Sequence, residues 1–339
     1  MARLHPLRSF LVILGVALAA AVVACLLPEN PYQRWQLLDG TIHKNARWVY
    51  ERIHFDPRPV DVVFVGPSRI ARGVDPIRLE ASLRAQGRPA NVVNFALPEG
   101  GRNLNYVIVE ELLKTKQPKL IVIGVIEKPA RFGHPAFKYV APRSLVVDPG
   151  HFGNAKYFSD LAYLPFRQMM LFAADVAPWA SDLSPTFDPA QYTPDRGVSD
   201  VFRTKDGRLE STSRQASMAE LEEGAREFRE GVTPPILPPA MADVEFGDER
   251  ASIRRIVAAA RRHGVKVAFL SQPYWSGPTT IQEEPFYRSF GPVWNAGFLA
   301  SHAELYADSG HMTRQGADVL TDWLTPYIAA ELPPSETRK

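Results

Sequence analysis

Two short, uninterrupted apolar runs, Val62-Val63-Phe64-Val65 and Leu120-Ile121-Val122-Ile123, constrain this chain more than any other feature. Continuous runs of β-branched and aromatic residues, without polar alternation, mark strands buried on both faces, and such strands belong to parallel sheets covered by helices. The intervening sequence agrees. Asp75-Pro76 can cap and open a helix over 77–86, Gly87 can end it, and 91–95 reads as a second strand. Leu104, Val107, Ile108 and Leu112 fall at helical spacing within 103–116, directly before the strand at 120–126. After a long interruption the alternation resumes with a helix over 248–262, a strand over 265–270 and a closing helix over 313–332. Strand–helix–strand order predicts a three-layer α/β domain with a parallel sheet.

Ligands in such sheets sit beyond the carboxyl ends of the strands. The run 62–65 ends there in Gly66-Pro67-Ser68, which makes Ser68 a candidate nucleophile. A serine hydroxyl needs an imidazole beside it and a carboxylate to hold that imidazole in one tautomer. Asp308-Ser309-Gly310-His311 supplies both groups three residues apart, so a turn there can aim Asp308 at one ring nitrogen of His311 while the other reaches Ser68. These residues also have plain structural uses, Ser68 as a helix cap and His311 as a turn residue. The eight histidines are dispersed without ligand-like spacing, so neither a metal nor any other cofactor is expected. The chain has no Gly-x-Gly-x-x-Gly fingerprint or phosphate loop.

Gly66-Pro67-Ser68, the stretch Asn94-Phe95-Ala96-Leu97-Pro98-Glu99-Gly100-Gly101 and Asp308-x-x-His311 together resemble the SGNH (GDSL-type) hydrolase superfamily. Within it the chain is most similar to the membrane-anchored bacterial branch that includes alginate and exopolysaccharide O-acetylation proteins. The resemblance covers roughly 60–125 and 250–330. It implies a flavodoxin-like sheet, catalysis by Ser68, His311 and Asp308, and an oxyanion hole using the Ser68 N–H and Gly100 or Gly101. Two departures stand out. Pro67 replaces the family's acidic residue, and Gly124-Val125-Ile126-Glu127 lacks the family's Gly-x-Asn-Asp, which leaves Asn94 either as a candidate replacement donor or as a buried residue bonding the strand-end backbone.

Residues 10–27 form an uncharged, mostly apolar stretch after Arg3 and Arg8. Its length and flanks predict an uncleaved signal anchor over 1–28, single-pass in the inner membrane, with the remainder in the periplasm. Val22-Val23-Ala24-Cys25 also resembles a lipobox, and a lipoprotein modified at Cys25 is the rival. That single cysteine rules out an internal disulfide. Residues 29–59 read as a stalk, 60–127 and 247–332 as the SGNH-like domain, 128–246 as a proline-punctuated insertion or cap with a helix over 213–230, and 333–339 as a disordered tail. A net charge of +2 without a basic stripe argues against nucleic acid as a partner. The expected partners are an acyl ester or polysaccharide substrate, the inner membrane and polysaccharide-export proteins. The expected function is a membrane-anchored esterase or O-acyltransferase acting on envelope or secreted polysaccharide. The alternative is a non-catalytic SGNH-like envelope protein that binds glycan or an export partner.

Overall fold

The computed structural model describes residues 6–125, 130–203, 208–231 and 235–333. The expected ends of the third strand at Ile126 and Glu127, and the expected tail beyond Pro333, lie outside them. At the centre is one five-stranded sheet, parallel throughout, in the order β2-β1-β3-β6-β7. Its strands are β1 (Val62–Val65), β2 (Val92–Asn94), β3 (Leu120–Val125), β6 (Lys266–Ser271) and β7 (Val293–Asn295). Register runs Val62 to Val92 and Val62 to Leu120 on the two sides of β1, then Leu120 to Lys266 across β3. Four of these strands fall where the apolar runs place them. The fifth, Val-Trp-Asn on the sheet edge, is not expected from sequence: it follows the short helix at 284–288 and has no apolar run of its own.

Helices cover both faces, because alternate residues of the buried strands project to opposite sides. Val63, Val65, Ile121, Ile123 and Phe269 pack with Val107 and Ile108 of α6 (Arg102–Leu113) and with Ile253 and Ile256 of α12 (Gly247–Arg262). Val62, Phe64, Val122 and Leu270 pack with Leu79 and Leu83 of α5 (Pro76–Ala85) and with Leu320, Leu324 and Ile328 of α14 (Arg314–Glu331). Asp75 caps α5 as expected, its carboxylate accepting from the Ile77 and Arg78 amides ahead of Pro76.

Two expectations fail on packing. Residues 29–59 are not a stalk. Their helices α2 (Pro31–Gln36) and α3 (Asn45–His54) bury Tyr32, Trp35, Val49 and Ile53 in the same core as β1 and α6, with Trp48 edge-on to Phe95. Four large aromatic side chains, Tyr32, Trp35, Trp48 and Tyr50, are core material despite the charges around them. Those charges pair internally, as Arg47 does with Glu51 and Arg52 with Asp56.

The second failure concerns 157–176, where prolines suggest only short pieces. The segment is instead a 20-residue helix, α9 (Tyr157–Val176), that runs through Pro165. A proline inside a helix costs about 3 kcal/mol. Burial of Leu164 in the core that holds Phe137 and Val140 of α7 (Phe137–Val140) and Val146 of α8 (Arg143–Val146), together with burial of Leu171, offsets that cost. The remainder of 128–246, within the described residues, holds the hairpin β4 (Val201–Arg203) and β5 (Leu209–Ser211), the helix α10 (Met218–Gly231) and the single turn α11 (Ala242–Glu245). The α10 helix begins five residues later than expected, because a turn at Thr212 and Ser213 is followed by an irregular stretch, Arg214 to Ser217, that ends in a cap. The Ser217 Oγ accepts from the Glu220 amide while the Glu220 carboxylate accepts from the Ser217 amide, a reciprocal capping box.

At the other end of the chain, α1 (Pro6–Cys25) is 20 residues long and carries the apolar stretch. It is the one helix among the described residues long and apolar enough to cross a membrane. A short helix, α13 (Glu284–Arg288), precedes β7, and the antiparallel pair β8 (Tyr306–Asp308) and β9 (His311–Met312) precedes α14.

Candidate active site

Ser68 opens α4 (Ser68–Gly73), which leaves the carboxyl end of β1 after Gly66 and Pro67. The helix sits unusually close to the sheet. A Cβ on Gly124 of β3 would lie 2.2 Å from Ile70 Cγ1, so only glycine there lets α4 approach. Asn94, at the end of β2, fixes the helix from the other side: its Nδ2 donates to the Ile70 carbonyl at 2.8 Å and to the Val74 carbonyl at 3.0 Å. Both amide hydrogens are thereby committed. Asn94 holds the segment carrying Ser68 in place and is not a free oxyanion donor, which corrects the role considered for it from sequence.

The acid and base come from the tight connection between β8 and β9, in which Asp308 and His311 are directly paired across the strands. Asp308 Oδ1 accepts the Gly310 and His311 amides, each at 2.8 Å, and so rigidifies the two-residue turn. The His311 ring then turns back, with Nδ1 2.9 Å from both carboxylate oxygens of Asp308 and Nε2 2.7 Å from Ser68 Oγ. Residues 243 positions apart in sequence thus form one chain of hydrogen bonds. A carboxylate can only accept, so the ring proton sits on Nδ1 and the Nε2 lone pair faces the hydroxyl.

The electrostatics favour the same arrangement. Burial penalises the charged form of Asp308, but the His311 bond, the Arg72 guanidinium and the Gly310 amide outweigh it and hold the carboxyl at about 2. For His311, burial comes first and pushes its pKa below 6.5; Asp308 pulls upward, while Arg72 and Arg69 add to the downward push. The imidazole is therefore neutral, and able to take a proton, over the physiological range. Its side chain remains about a quarter exposed, and Ser68 is half-buried.

Two contributors leave no reading in the sequence, and a third is read there only as an insertion or cap near the strand ends. Arg72, one helical turn after Ser68 on α4, approaches Asp308 Oδ2 to 3.4 Å. The Ser68-x-x-x-Arg72 spacing, which puts both side chains on one face of a helix, was the available signal. Arg69 is buried, donates to the Gln272 carbonyl and lies 4.4 Å from the centre of the Tyr274 ring. The third contributor is the insertion itself. Phe228 of α10 stacks on Tyr274 at 3.9 Å, Gly224 lies so near Ser309 that a Cβ would come within 2.4 Å of its Oγ, and Ala216 donates its amide to the Tyr306 carbonyl. The segment thus packs on the turn that carries the acid and base, through contacts no local pattern announces.

The two glycines have different surroundings. Gly101 caps α6 at φ 133°, and a Cβ there would fall 2.2 Å from the His134 nitrogen, so close packing alone requires glycine. A Cβ on Gly100 would meet nothing within 4 Å. The preceding Glu99 also adopts a positive φ of 68°, an uncommon conformation for a residue other than glycine. The loop is tied to the Ser68 turn by the Leu97 amide, which donates to the Gly66 carbonyl at 3.1 Å. Glu127, at the strand end where the family carries its asparagine, lies outside the described residues. Among the described residues no group of three or more His, Cys, Asp or Glu side chains is arranged to hold a metal ion.

No protein-family model matches the chain, and neither does any curated protein compared with it. The case for function therefore rests on the residues.

Proposed function

We propose that this protein is a membrane-anchored serine esterase or O-acyltransferase of the SGNH type, acting through Ser68, His311 and Asp308. The observation that carries the reading is the unbroken relay from Asp308 through both nitrogens of His311 to Ser68 Oγ, with bonds of 2.9 and 2.7 Å, at the carboxyl end of a parallel strand. The strand order, counted within the sheet as 2-1-3-4-5, is that of flavodoxin-like folds and supports the resemblance.

In this reading His311 Nε2 takes the Ser68 proton as Oγ attacks the ester carbonyl carbon, and Asp308 stabilises the resulting imidazolium. Ser68 occupies the first position of a helix, where backbone N–H groups have no carbonyl of their own helix to bond. Its amide is thus a natural donor to the developing oxyanion. The tetrahedral intermediate collapses by breaking the bond to the alcohol oxygen, which leaves with the proton from Nε2. The acyl group then remains on Ser68. Water or a sugar hydroxyl next gives its proton to Nε2, attacks the acyl carbonyl and restores the serine. The long apolar α1 supports an anchored protein, and Arg3 and Arg8 ahead of it favour a soluble part facing the periplasm.

One observation favours a second reading, a non-catalytic envelope protein that binds glycan or an export partner. The Asn94 amide, the candidate third oxyanion donor, is fully spent on Ile70 and Val74. Turnover of p-nitrophenyl acetate by the full-length protein in detergent separates the two. Hydrolysis that disappears in Ser68→Ala supports the enzyme; equal background from both proteins, with folding intact, rejects it.

A further inference from the structure

The α9 helix presents two dissimilar faces. Asp160, Leu164, Arg167, Gln168, Leu171 and Ala174 are buried against the domain, whereas Phe158, Ala162, Phe166, Met169, Ala173 and Val176 are exposed along one stripe at helical spacing. No charged side chain interrupts that stripe. Phe158 is 65% exposed and Phe166 55%, and Trp179 in the turn that follows is 84% exposed. A row of large apolar groups this long on a protein surface marks something that covers it.

The position of α1 identifies the cover. Along its apolar span the side chains are exposed until the last turns, where Ala24 becomes buried and Ala21 and Cys25 half-buried. It is there that α1 packs against α9. The joint is locked by polar bonds, with Arg143 donating to the Cys25 carbonyl at 2.6 Å and Gln168 to the Leu27 carbonyl at 3.3 Å. A helix of 20 residues spans about 30 Å, the thickness of a bilayer's hydrocarbon core. With α1 across the membrane, its Cys25 end lies at the outer boundary, and α9 is held at that depth. Trp179 then sits where tryptophan is enriched, at the boundary between lipid and water.

We infer that α9 is an interfacial helix whose Phe158–Val176 stripe is embedded in the phospholipid surface beside the anchor, so that the domain is seated on the bilayer and does not swing from a tether. Helices with one apolar and one polar face bind membranes in this way. The inference rests on the reading of α1 as a retained transmembrane anchor, and the test distinguishes failure of either.

The full chain, with Cys25→Ser as background, would carry a nitroxide at one of three introduced cysteines: Leu14→Cys in α1, Phe166→Cys in α9, or Ser301→Cys as an exposed control. Each would be reconstituted in phosphatidylcholine/phosphatidylglycerol vesicles, and collision rates with oxygen and with a water-soluble nickel chelate would be measured. The expected result is an oxygen-to-nickel ratio several-fold above the Ser301→Cys value at both Leu14→Cys and Phe166→Cys. A lipid-like ratio at Leu14→Cys with a water-like ratio at Phe166→Cys would overturn the interfacial helix and leave the anchor standing. Water-like ratios at both would remove the anchor and the inference with it. A label at Phe166→Cys shielded from both reagents would mean that protein covers the stripe, which also overturns the inference.

Discussion

Replacing Asp308 by asparagine separates a catalytic relay from a turn that merely resembles one. The turn should survive, because one asparagine oxygen can still accept the Gly310 and His311 amides that Asp308 Oδ1 accepts at 2.8 Å. The side-chain amide nitrogen then takes the place of Oδ2, 2.9 Å from His311 Nδ1, and with the remaining oxygen already accepting two amides its N–H favours Nδ1 as the acceptor. The ring proton moves to Nε2, pointing at Ser68 Oγ, and the hydroxyl loses its base. The charge that balances the imidazolium is lost as well. Such a change lowers kcat by about 10⁴-fold, equivalent to about 5.4 kcal/mol of barrier at 1.36 kcal/mol per factor of ten. The assay is steady-state hydrolysis of p-nitrophenyl acetate, with thermal melting to confirm that the fold is retained. A variant that melts like the parent and keeps activity within a few-fold would refute the argument, since the geometry would then be doing no chemistry.

Three further changes probe other parts of the account. Arg72→Gln removes a cation that depresses the His311 pKa; the base works only when neutral, so activity is lost as pH falls through that pKa, and the acidic limb of kcat/KM should move to higher pH, whereas an unmoved limb would exclude Arg72 from the electrostatics. Asn94→Ala strips the Ile70 and Val74 carbonyls of their donor and should cost about 1–3 kcal/mol in denaturant melts, with kcat lowered through a loosened Ser68 helix; an unchanged midpoint would contradict the positioning role. Trp35→Ala, at a side chain with no exposed surface, should cost about 3–5 kcal/mol, whereas a segment that served only as a stalk would lose almost nothing.

The sheet was legible because burial on both faces leaves no polar alternation, so β1 and β3 stand out as unbroken apolar runs and the helices between them follow by spacing. Ser68, His311 and Asp308 were legible because each sits where local geometry carries meaning, at a strand end or three residues apart on a turn. Other features lay beyond local pattern. The edge strand Val293–Asn295 is held by pairing with β6, three residues at a time, and α9 survives its proline only through tertiary packing. The burial of Trp48 depends on a partner far along the chain, Phe95. Asn94 shows the limit most clearly: its residue type permits either an oxyanion role or a bond to the strand-end backbone, and the positions of the Ile70 and Val74 carbonyls decide for the second.

The central claim is that His311 makes the Ser68 hydroxyl a nucleophile. Incubating the folded full-length protein with a fluorophosphonate and mapping the adduct by peptide mass spectrometry tests it without knowledge of the natural substrate. The account predicts phosphonylation at Ser68 in the parent protein and its near absence in His311→Ala at equal folding. An unlabelled Ser68 in the parent, or equal labelling in both proteins, would contradict it.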